Sequence, residues 1–149
     1  MKKLSLIILF IIIPLTVSYS QVTQAVVGVD GFTCSLCAKG VEEQFRSMDF
    51  VKSVKVDLKK TTFTIVFKKD INIDINKLRD GVTDGGFSLR DILIKAEGKY
   101  EKNHLVTGNT PDLVLKNLNA DYTDGDRISI SGFVSLSDNS VKVKQAKKI

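Results

Sequence analysis

The sequence predicts an α+β chain: a β-α-β-β-α-β unit over residues 22–96, followed by a small β-rich unit over residues 98–149. Three observations carry this. From Gln24 to Ala96 the hydrophobic spacing switches between the strand period of two and the helix period of three to four. Capping and turn residues fall where the period changes. Beyond Ala96 the composition shifts to short alternating runs set between Asp, Gly, Asn and Ser clusters.

Taken in order, Lys2 and Lys3 precede an apolar run from Leu4 to Ile13, which Pro14 ends, and Ser18-Tyr19-Ser20 places small residues where an export peptidase reads them. Residues 1–20 are therefore expected to be a signal peptide and the protein to be exported, periplasmic or secreted. The run is shorter than the roughly 20 apolar residues a spanning helix needs, so no stable membrane anchor is expected. Cleavage after Ser20 removes Lys2 and Lys3 and lowers the net charge from +5 to +3. The lysines are scattered among acids and no aromatic residues interleave with arginines, which argues against nucleic acid as a partner.

Ala25 to Val29 reads as the first strand, and Ala38, Val41, Phe45 and Met48 then make one apolar helix face. Val54, Val56 and Leu58 alternate with polar residues, Lys59-Lys60-Thr61 makes a turn, and Phe63, Ile65 and Phe67 alternate in return, a hairpin with one buried face. Asp74 is the expected N-cap of a second helix carrying Ile75, Leu78 and Val82, which Gly85-Gly86 ends. Phe87 to Ile94 closes the series, giving the ferredoxin-like split unit with both helices on one face of an antiparallel sheet.

Between the first strand and first helix lie the chain's only two cysteines, in Gly31-Phe32-Thr33-Cys34-Ser35-Leu36-Cys37. Thiolates suit soft ions such as Cu(I), and the unpaired N–H groups of a helix N-terminus favour the ionised thiol. Alone, Cys-x-x-Cys is shared by zinc ribbons, redox enzymes and plain disulfides. A zinc ribbon needs a second pair, and the one histidine, His104, lies far along the chain. Export adds a competing state, since an oxidising compartment favours a disulfide.

The loop, its place between strand and helix, and the element order together resemble the heavy-metal-associated domain of copper chaperones, metal-transporting ATPase tails and the periplasmic mercury-binding protein. The family's loop reads Gly-Met-Thr-Cys-x-x-Cys, so the resemblance implies Cys34 and Cys37 as metal ligands. It implies Phe32, in place of methionine, as an apolar support beneath the loop. Relatives that handle Zn(II) place an acid near the pair, whereas here Asp30, set back before Gly31, is the nearest. The resemblance therefore leans to Cu(I), with Hg(II) and Zn(II) as the other ions the pair admits, and to a metal-transfer protein as partner. Phe87 matches an aromatic of the loop facing the metal in relatives, or is simply core at the start of the last strand.

Met48 is read as core, His104 as exposed in a connection, and Lys55, Lys59, Lys60, Lys68 and Lys69 as a solvated face. Beyond a boundary expected at Glu97-Gly98-Lys99, runs at 113–115, 128–136 and 141–143 read as short strands. The stretch Asp124 to Val134 resembles a strand pair of OB-like barrels. So short a unit is expected to pack on the first one or on a second chain. Three functions stay open. The first is a non-enzymatic soft-metal carrier, the second a thiol–disulfide oxidoreductase, and the third an interaction module with a structural Cys34–Cys37 disulfide. Nothing resembles a nucleophile with a paired base, so hydrolysis has no support.

Overall fold

The structure, a computed structural model, describes residues 20–119 and 121–149. Apart from Ser20, the expected signal peptide lies outside the described residues.

Strand β1 (Gln21–Asp30) alternates so that Ala25, Val27 and Val29 point into the core. Helix α1 (Ser35–Arg46) turns Ala38, Val41 and Phe45 onto that face. It stops at Ser47, whose N–H donates to the Glu43 carbonyl at 3.0 Å, so Met48 lies just beyond the helix, half-buried against the core. Strands β2 (Val51–Asp57) and β3 (Thr62–Phe67) form the expected hairpin. Its turn is held by Asp57 Oδ1, which accepts from the Lys59 and Lys60 N–H groups at 3.0 and 3.1 Å. Asp74 caps helix α2 (Ile75–Thr83), accepting from the Asn76 N–H at 3.0 Å, and Ile75, Leu78 and Val82 are buried. Gly86, at φ +80°, takes the left-handed conformation that lets the chain leave the helix for β4 (Ser88–Glu101). The strand order β2-β3-β1-β4 is antiparallel throughout, giving the ferredoxin-like unit.

The second half continues the same sheet through β5 (His104–Val106), β6 (Leu113–Lys116), β7 (Arg127–Ser135) and β8 (Ser140–Lys148). One edge of β4 pairs with β1 as far as Glu97 and is then taken over by β5 at Lys99–Glu101. The other edge pairs with β7 from Leu93 to Lys99. Since β5 pairs with β6, β6 runs parallel to β8, and β8 pairs with β7, the strands β4-β5-β6-β8-β7 close on themselves. Five strands closed in this way are the architecture of OB-like barrels. Leu105, Leu113, Leu115, Ile128, Ile130, Val141 and Val143 are its buried side chains.

Two expectations need correction. The boundary drawn at Glu97-Gly98-Lys99 falls inside β4, which both halves share. Gly98 is required there by space: a Cβ would lie 2.5 Å from the Val106 carbonyl oxygen, where β5 replaces β1 as neighbour. His104 is the half-buried first residue of β5 rather than part of an exposed connection, and its Nδ1 donates to the Lys102 carbonyl at 2.9 Å.

A second seam lies at the 107–112 segment. Asn109, only 3% exposed, reaches back to β1: its Oδ1 accepts from the Val22 N–H at 2.8 Å and its Nδ2 donates to the Val22 carbonyl at 3.1 Å. These bonds satisfy a backbone unit left free where the β1–β4 register slips between Val22 and Gln24. The Asn109 carbonyl also accepts from Ile73 N–H, just ahead of α2, at 2.6 Å.

Candidate metal centre

The cysteine loop leaves the end of β1, where the Val29 N–H donates to the Thr61 carbonyl at 3.0 Å and ties it to the β2–β3 turn. Gly31 then turns the chain at φ +99°, outside the range most side chains accept. Phe32 points down, 5% exposed, between Phe63 (ring centroids 5.7 Å apart) and Phe87 (6.0 Å, edge to face). The apolar support expected of Phe32 is therefore present, and Phe87 packs on the core, as its second reading expects, while meeting Phe32 edge to face.

Cys34 is the N-cap of α1, extended at φ −122°, ψ 151°, and its Sγ accepts from the Cys37 N–H at 3.1 Å. Cys37 follows in the first helical turn, half-buried, while Cys34 is exposed. The first turn carries no acidic residue, so the positive end of the helix dipole faces the sulfurs unopposed. The two residues are joined as a disulfide with their Cα atoms 5.4 Å apart.

Among the described residues no group of three or more His, Cys, Asp or Glu side chains is placed to hold a metal ion. The donor set at the loop is thus two sulfurs, which fits an ion content with linear or low coordination and leaves one that wants four ligands short. Asp30, the nearest acid in sequence, does not join the sulfurs. Its carboxylate is held by Arg90 of β4, at 3.0 Å. Sequence reasoning missed Arg90, because a charged residue in an alternating strand carries no signal of where its side chain is aimed. Among the described residues no helix is long and apolar enough to cross a membrane.

Residues 26–88 match the family model of the heavy-metal-associated domain. No curated protein matches the chain. Solved structures similar to it include the CopZ metallochaperone, at 22% identity and TM-score 0.43, covering 46% of this chain and 100% of that one. A yeast copper transporter domain, solved apo and Cu(I)-loaded, is 19% identical with TM-score 0.42 over 46% of this chain and 92% of its own. The N-terminal domain of a potential copper-translocating P-type ATPase from Bacillus subtilis, in its Cu(I)-loaded state, is 22% identical with TM-score 0.42, covering 46% and 85%. By the family model, residues 26–88 are a heavy-metal-associated domain, and the ferredoxin-like unit that contains them shares β4 with a closed five-stranded barrel.

Proposed function

We propose that the protein is an exported soft-metal carrier that binds one Cu(I) through the reduced thiolates of Cys34 and Cys37 and passes it to a partner protein. The observation that carries this reading is the pair itself: two sulfurs at a helix N-terminus, on a heavy-metal-associated domain, with no third donor beside them among the described residues. Two-coordinate Cu(I) leaves an open position. A thiolate or thioether of the partner adds there as a third ligand, one of the original sulfurs departs, and the ion moves without ever being released to water. Phe32 keeps the loop seated during exchange, and the helix N-terminus favours the thiolate that has let go. Phe32 does this without becoming a ligand.

The disulfide between Cys34 and Cys37 supports a second reading, a thiol–disulfide exchange protein, because the same sulfurs cannot be bonded to each other and hold an ion at once. One comparison separates them. Reduced protein is titrated with Cu(I) against a Cu(I) chelator, beside a Cys34→Ser, Cys37→Ser variant, and both are assayed for turnover of a disulfide substrate. The carrier reading expects one tightly held Cu(I), lost in the variant, and negligible turnover. Undiminished Cu(I) affinity in the variant overturns it, and thioredoxin-like turnover abolished by Cys34→Ser replaces it with redox chemistry.

A further inference from the structure

The register between β1 and β4 slips beside the cysteine loop. Gly28 faces Asp91 and Val29 faces Leu89, which leaves Arg90 as the extra residue of a β-bulge. A bulge re-aims the side chain of its unpaired residue. Here the Arg90 side chain crosses β1 over Gly28 and meets acceptors on two elements. Nη1 donates to Asp30 Oδ1 at 3.0 Å and to Thr61 Oγ1 at 2.8 Å, and Nη2 donates to the Lys60 carbonyl at 3.1 Å. Nε also lies 3.5 Å from Asp91 Oδ2. The crossing uses the space glycine leaves: a Cβ on residue 28 would lie 2.6 Å from Asp91 Oδ1, 2.8 Å from Nη2 and 3.0 Å from Nε, so these side chains would have to shift.

A lone surface ion pair fixes little. This guanidinium is different, because its bonds to the β2–β3 turn hold it in place independently of Asp30. Asp30 precedes the loop that carries both cysteines and remains 57% exposed, so its position depends on the arginine rather than on packing. Cu(I) is satisfied by two sulfurs, whereas Zn(II) completes a tetrahedron with further ligands, carboxylate oxygen among them.

We propose that Arg90 is a positioning residue that sets the ion selectivity of the Cys34–Cys37 site, by holding the Asp30 carboxylate away from the sulfurs and so denying Zn(II) an oxygen ligand. The inference rests on those two cysteines being the ligands. Gly28 and the bulge are the parts of the backbone that make the hold available.

The test measures Cu(I) and Zn(II) affinities of the reduced protein by chelator competition in the unaltered chain and in the Arg90→Gln, Gly28→Ala and Arg90→Gln/Asp30→Asn variants. Co(II) absorption reports on the ligand set. Arg90→Gln and Gly28→Ala are expected to tighten Zn(II) binding by about tenfold, the size of change that altering an outer-shell partner produces but with the opposite sign, since this partner withholds the carboxylate, with Cu(I) affinity unchanged. Asn at position 30 is expected to abolish the Zn(II) gain and return the Co(II) spectrum to that of the unaltered chain. An arginine that only stabilised the loop would weaken both ions together, and Asp30→Asn would restore neither. Unchanged Zn(II) affinity in both single variants, or a gain that survives Asp30→Asn, overturns the inference while Cu(I) binding stands. Cu(I) binding that survives loss of both cysteines overturns the carrier reading and this one with it.

Discussion

Replacing Phe32 by alanine separates the support of the metal loop from its ligands. The side chain is 5% exposed and packs against Phe63 and Phe87 at ring-centroid distances of 5.7 and 6.0 Å. Phe→Ala changes in cores cost about 3–5 kcal/mol, and the lower end applies where surroundings can relax into the space. Phe32 stands at the end of the core, directly beneath an exposed loop, so about 3 kcal/mol is expected. Part of that loss is local. If the emptied loop adopts its binding conformation only a tenth of the time, the apparent Cu(I) affinity falls by about tenfold, in proportion to that population. Phe32→Met keeps an apolar filler of similar volume and should cost less than about 1.5 kcal/mol, with affinity retained. The assay is urea denaturation of the reduced, metal-free protein followed by far-UV circular dichroism, beside a Cu(I) competition titration of each variant. A Phe32→Ala protein destabilised by under about 1 kcal/mol and binding Cu(I) as tightly as the unaltered chain would refute the support role, since burial of this extent cannot be removed so cheaply.

Asn109→Ala leaves the Val22 N–H and carbonyl without their side-chain partners in a buried seam, at about 1–3 kcal/mol for each such group. A loss of about 2–6 kcal/mol is therefore expected in urea denaturation, and a loss under a few tenths would mean that water replaces the amide freely. Expressed alone, residues 22–95 should still bind one Cu(I), because both cysteines, both helices, β2 and β3 remain, with β1 nearly whole and β4 kept as far as Lys95. That fragment should unfold at lower urea than the whole chain, having lost β7 from its edge and Asn109 from Val22. A fragment that folds without binding, or does not fold, shows the two halves to be one cooperative unit. In the barrel, the Lys116 ammonium together with the Ser135 and Ser140 hydroxyls holds the Asp138 carboxyl well below the usual carboxylate range, and Lys148 with the Thr123 N–H lowers that of Asp126. Carboxyls depressed on folding stabilise the protein above their ordinary value of 3.8, and that contribution is lost as pH falls below it. The urea midpoint should therefore drop on acidification below that value, and the Asp126→Asn/Asp138→Asn variant should drop less steeply. Equal slopes would show that neither carboxyl is linked to folding.

The sequence by itself determined what local pattern can encode. The period changes mark β1, α1, β2, β3 and α2, Lys59-Lys60-Thr61 falls at the hairpin turn, Asp74 makes the cap its chemistry suggests, and the Cys34–Cys37 spacing places one sulfur ahead of the helix and the other in its first turn. These features depend on residues within a few positions of one another. Only the tertiary structure decided the rest. Glu97-Gly98-Lys99 reads as a boundary because polar residues and glycine usually interrupt strands, yet the strand continues, and glycine is present because Val106, eight residues further along the chain, approaches its backbone from the other half. His104-Leu105-Val106 is too short to register as a strand until β4 and β6 pair with it. Asn109 looks like any loop asparagine until β1 slips by a residue and leaves Val22 in need of partners. Arg90 looks like any strand arginine until a bulge in β4 and the missing side chain of Gly28 send it across to Asp30. Each depends on the register between strands distant in sequence, and register is fixed by how whole faces pack rather than by any one segment's composition.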